Sequence, residues 1–86
     1  MKTLVFSDHA NVVLMNRGID PAWAELAARY PDWTERDPFR AGVERRFKII
    51  PERGGRVLRA ACVEDTSSIR VITVFFDRDA RRPEWL

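Results

Sequence analysis

The sequence predicts an α+β domain in which two N-terminal helices pack on one face of a twisted, mostly antiparallel sheet of four to five strands. Three observations predict it. Helix start and stop residues frame two segments between Ser7 and Pro31. The hydrophobic period changes from helical to extended at Trp33. Turns rich in chain breakers then divide the remainder into strands at hairpin spacing.

The elements follow in order. Leu4-Val5-Phe6 is a short apolar run and predicts a strand over residues 2–6. Ser7 offers a hydroxyl as N-cap and Asp8 places an acid in the first turn, so a helix begins there. Gly18 ends it, at the place of a left-handed C-terminal residue. Asp20 and Pro21 start a second helix, since proline costs nothing at the first helical position. Trp23, Leu26, Ala27 and Tyr30 fall at helical spacing and predict its buried stripe, and Pro31 stops it. Trp33–Asp37 reads as a short strand, residues 37–42 as a loop and Val43–Ile50 as a strand. Pro51-Glu52-Arg53-Gly54-Gly55 is a turn before the strand Arg56–Glu64, and residues 65–68 turn again. Ile69–Phe76 is apolar on both faces and predicts a central strand. Residues 1–78 thus form one domain, followed by a charged tail, 79–86, whose Trp85 and Leu86 are available for docking.

Composition narrows the function classes. A chain of 86 residues with a formal charge of +2 supports one small core, which excludes a multidomain enzyme or a repeat array. The single cysteine, Cys62, cannot form an internal disulfide and fits a reducing cytoplasm. The N-terminus meets a charge too early for a signal peptide, and no apolar run approaches the ~20 residues that span a bilayer. Of the 15 cationic residues only Lys2 and Lys48 are lysines. Residues 1–43 carry 5 positive and 6 negative charges, and residues 44–86 carry 10 and 7. An arginine-rich half suits phosphate or carboxylate partners, which guanidinium binds bidentately, although ordinary surface ion pairs account for the same composition.

The residues that carry chemistry are few. His9 and Cys62 are the only nitrogen or sulfur metal ligands, too few for zinc. Gly54-Gly55 lies between strands and lacks the lysine and helix of a phosphate-cradling loop, which argues against a kinase or dinucleotide enzyme. What remains is acid–base chemistry on a phosphodiester, with no metal and no cofactor, in which RNA supplies its own 2′-hydroxyl nucleophile. Histidine is the side chain that titrates near neutrality. His9 stands in the first turn of the first helix, where free N–H groups attract an anion. Asn16 lies about 20° from it on the helical wheel, with Arg17 adjacent, and the surrounding residues predict a largely buried helix with one narrow polar stripe. The alternative role for His9 is a local cap or a hydrogen bond to the sheet.

The run Phe6-Ser7-Asp8-His9-Ala10, followed by Met15-Asn16-Arg17-Gly18-Ile19-Asp20, resembles the start of a bacterial family called domain of unknown function 4258. Gly54-Gly55-Arg56-Val57-Leu58-Arg59 and Val71-Ile72-Thr73-Val74-Phe75 are similar to its later glycine-rich hairpin and closing strand, and the resemblance covers residues 4–78. That family resembles the small RelE-like and barnase-like ribonuclease toxins, which implies two helices on a four-stranded antiparallel sheet. The resemblance implies an RNA-binding or RNA-cleaving toxin domain, a metal-independent endoribonuclease whose partners are RNA and a cognate antitoxin. The candidate catalytic residues are His9, Arg17 and Thr73, and the candidate RNA-binding residues are Arg45, Arg46 and Arg59. Two positions depart from the family pattern: Val13 stands where members often carry an arginine, and Phe75 where many carry a tyrosine. These losses favour the competing function, a non-catalytic protein-interaction module or an inactive relative of such a toxin.

Overall fold

A computed structural model describes all 86 residues. The local signals set the boundaries. The helix α1 spans Asp8–Arg17, and its N-cap Ser7 accepts a hydrogen bond from Ala10 N at 3.0 Å. The same hydroxyl donates to the carbonyl of Ile72 at 2.7 Å, so one side chain caps the helix and ties it to the sheet. Gly18 ends α1 at φ 62°, the left-handed region that glycine enters without steric cost. Helix α2 spans Pro21–Arg29, and Asp20 caps it by accepting from Ala22 N at 2.9 Å.

Five strands follow the predicted order: β1 (Thr3–Phe6), β2 (Trp33–Arg36), β3 (Glu44–Ile50), β4 (Arg56–Glu64) and β5 (Ser68–Phe76). They form one sheet in the order β1-β5-β4-β3-β2. The three pairs from β2 to β5 are antiparallel, while β1 runs parallel to β5, with Thr3 opposite Ser68 and Phe6 opposite Val71. The sheet therefore has five strands, and β4 holds its centre. β5 is flanked on both sides only where β1 accompanies it, so its apolar character on both faces does not mark the middle of the sheet. A bulge lies in the β4–β5 ladder at Ala61/Cys62.

Both helices lie on one sheet face. Their core joins Ala10 and Leu14 of α1 and Ala24, Ala27 and Ala28 of α2 to Ile50, Leu58, Ala60, Cys62, Ile69, Val71 and Val74 of the sheet. Two sequence expectations are corrected here. The buried face of α2 is its alanine face, while Leu26 is 42% exposed and Tyr30 is 58% exposed. Small residues let the helix backbone approach the strands closely, which turns the larger side chains to the flanks. α1 is likewise not largely buried: only Ala10 and Leu14 are, and Met15 is 83% exposed. With a single layer of helices, each helix keeps one face toward water. Residues beyond β5 form turns without regular structure, and Trp85 is exposed. No helix is long and apolar enough to cross a membrane.

Candidate functional site

β1 stops opposite Val71, so the second half of β5 has no strand neighbour on that side. α1 lies alongside instead, and a cleft of about 600 Å³ opens between them. His9, Val13 and Arg17 recur every fourth residue and present one face of α1 to this cleft. Thr73, Val74, Phe75 and Phe76 of β5 also line it. The β3–β4 turn contributes Arg53, the start of β4 contributes Arg56, and the chain leaving β5 contributes Arg78.

Local structure explains how the turn reaches the cleft. Pro51–Arg53 forms a single 3-10 turn, and Gly54 and Gly55 both take positive φ, 66° and 78°. This tight reversal puts Arg53 and Arg56 around Phe76 at the end of β5. Their guanidinium carbons lie 5.1 and 4.5 Å from the ring centroid of Phe76. Trp23 meets Phe76 edge to face at 6.3 Å and carries Arg53 at 5.8 Å.

The electrostatics are one-sided. Arg17, Arg53, Arg56 and Arg78 line the cleft, no carboxylate does, and none of the four enters an ion pair. His9 is exposed at the cleft, and the capping role belongs to Ser7. The arrangement offers fixed cations and one exposed imidazole, groups that complement a phosphodiester.

The structure brings His9, Arg17 and Thr73 together in this cleft. Arg45, Arg46 and Arg59 lie outside it, each engaged elsewhere. Arg46 is buried on the helix face of β3: Nε donates to Glu44 at 2.8 Å, Nη2 to Glu64 at 2.6 Å and Nη1 to the Ala28 carbonyl at 2.6 Å. Burial alone would lower its pKa, but the hydrogen bonds to Glu64 and Glu44 outweigh burial and raise it. Hydrogen bonds from Lys2 and then Arg46 hold the Glu64 carboxyl below its ordinary range. Arg45 faces Asp37 at 3.5 Å, and Asp37 also pairs with Arg40 at 3.0 Å. Backbone donation from Phe39, aided by Arg40, lowers the Asp37 pKa to about 2. Arg59 pairs with Asp77 at 3.0 Å and lies 4.7 Å from the Phe75 centroid, one strand in from the cleft. Burial pushes the Cys62 thiol up to about 11, which leaves it inert as a nucleophile.

Sequence reasoning missed Arg53, Arg56 and Arg78. The available signal was a breaker turn with an arginine on either side of Gly54-Gly55. Nothing short of the topology brings that turn to the end of β5.

Fold and site together define a small two-layer α+β domain with a basic, histidine-bearing cleft beside the unflanked half of one strand. The chain belongs to the family described as "Domain of unknown function (DUF4258)", whose family model matches residues 6–76. That span takes in His9, Arg17, Arg53, Arg56 and Thr73 and ends at Phe76. No curated protein and no solved structure matches the chain.

Proposed function

We propose that the cleft binds RNA through its phosphodiester backbone and that His9 is the acid–base group of a metal-independent endoribonuclease of the RelE-like toxin type. The observation that carries this reading is the convergence of four arginines, none of them ion-paired, with the single histidine of the chain. Arginine forks match phosphate oxygens, and a cleft lacking carboxylates gives a hard cation no ligand. In the reaction, the imidazole of His9 accepts the proton of a 2′-hydroxyl as that oxygen attacks the adjacent phosphorus. Arg17 faces the charge that builds on the phosphoryl oxygens, and the Thr73 hydroxyl orients the strand. The 5′-oxygen leaves with a proton from water, giving a 2′,3′-cyclic phosphate and a 5′-hydroxyl. A cognate antitoxin would be an acidic chain that covers the same arginines.

A second reading has its own observation. Val13 sits between His9 and Arg17 on the cleft face of α1, and Phe75 lines the cleft without a hydroxyl. An apolar residue at each place favours a domain that binds RNA or a protein without cutting.

Cleavage of single-stranded RNA by purified protein, with His9→Gln beside it, tests both. Proton transfer by a positioned group contributes about 10²–10⁴-fold to rate, so His9→Gln should lose that much cleavage while still binding RNA. Undiminished cleavage by the variant removes His9 from the chemistry. A wild-type chain that binds RNA without cleaving it selects the second reading, and Val13→Arg with Phe75→Tyr should then install cleavage.

A further inference from the structure

Arg53 and Arg56 differ from the ion-paired arginines in what holds them. Their guanidiniums rest on the ring of Phe76 at 5.1 and 4.5 Å, and Trp23 braces that ring from the side. A ring face attracts a cation but takes up none of the N–H donors of a guanidinium, so the donors of both forks stay free. Two like charges held on one ring also repel each other, and neither forms an ion pair with a carboxylate. A bound oxyanion would offset that repulsion.

Resting on the RNA reading of the cleft, we infer that Arg53 and Arg56 form a phosphate subsite of their own, across the cleft from α1. The cleft thus grips two neighbouring phosphates of one strand, one at His9 and Arg17 and the next at Arg53 and Arg56. A volume of about 600 Å³ is on the scale of a small-ligand pocket and suits a short stretch of single strand. Phe76, already occupied by guanidiniums, is not free to stack on a base. Contacts to phosphate carry no sequence information, so this subsite grips any sequence alike.

The shared chemistry is a phosphate oxyanion, from an RNA backbone or from a free oligophosphate, and two probes separate the sources. Binding of a fluorescent uridine homopolymer is followed by anisotropy across a salt series, and binding of inorganic pyrophosphate by calorimetry. Arg53→Gln with Arg56→Gln should weaken RNA binding about 10–100-fold, the scale of lost charge-assisted hydrogen bonds. The slope of log K against log salt should flatten by about 0.7 for the phosphate released. Pyrophosphate binding should be lost in the double variant and kept in Arg17→Gln. Phe76→Leu keeps both arginines but removes their platform, so affinity should fall about 2–5-fold with the slope unchanged. Arg56 is exposed, and Arg56→Gln alone provides a folded variant for the same readings. A double variant with an unchanged slope and intact pyrophosphate binding overturns the subsite and leaves the RNA reading standing. Pyrophosphate binding that depends on Arg53 and Arg56, with no RNA binding by the wild type, keeps the subsite and removes RNA as its ligand.

Discussion

Arg46 on β3 and Arg56 on the neighbouring strand β4 illustrate two uses of one side chain. Arg46 reaches from the sheet to the carboxylates of Glu44 and Glu64 and to the last turn of α2, where the Ala28 carbonyl has no helical donor. Its charge is answered inside the chain and it ties strands to helix. Arg56 has an aromatic ring below it and no ion pair to a carboxylate. The difference teaches that an arginine-rich composition says little until the partners are known. Five arginines (29, 40, 45, 46 and 59) belong to internal ion pairs, and four without such pairs are gathered at one cleft. The first group bears on stability, and the proposed function assigns the second to binding.

Substitution can break this division. The largest effect on stability is expected at Arg46. Removing one partner from a buried pair costs about 3–5 kcal/mol, and the partial exposure of both glutamates reduces this to about 2–3 kcal/mol for Arg46→Met. Urea denaturation checks the figure, and the salt slope of RNA binding should stay that of the wild type. A flattened slope in Arg46→Met would place this arginine on the phosphate after all.

A smaller effect concerns acid. The folded-state pKa of Asp37 lies near 2, below its ordinary value of 3.8. The unfolded chain therefore holds the proton more tightly. The stability contributed by Asp37 is fully present above about pH 4 and is lost as pH falls toward 2. Thermal melts of wild type against Asp37→Asn should converge over that window. Parallel curves would show that the loop at Phe39 and Arg40 is held by something other than the carboxylate. Cleft substitutions should not alter this acid limb.

The smallest effect is expected at Arg78, exposed and free of ion pairs. Arg78→Gln should change unfolding free energy by less than about 0.5 kcal/mol while lowering RNA affinity. A larger loss of stability would move Arg78 into the first group.

The elements of the fold were legible because their boundaries depend on local chemistry. Ser7, Gly18 and Asp20-Pro21 act through caps and φ preferences that involve only neighbouring residues. The buried face of α2 was not legible, because alanine gives little hydropathic signal and the larger Leu26 and Tyr30 set a stripe that the packing rotates to the flank. Strand alternation put Arg46 with Glu44 and Lys48 on one face, but alternation cannot say which face the helices cover. In the cleft, His9, Arg17 and Thr73 came from helix position and family resemblance. Arg53 and Arg56 escaped notice because turns have no period, and only the β3–β4 hairpin carries them to β5.

The parallel pairing of β1 with β5 imposes an order on folding. Thr3–Phe6 find their partners in Ser68–Val71, so the first strand waits for the last, and closing so long a loop is slow compared with forming a hairpin. During synthesis α1 can emerge and coil early, but Ser7 has no Ile72 carbonyl to hold until nearly the whole domain has left the ribosome. His9 follows Ser7 by two residues. The assembly of β1 that completes the sheet also brings the histidine to its arginines, and every partly made chain lacks the cleft.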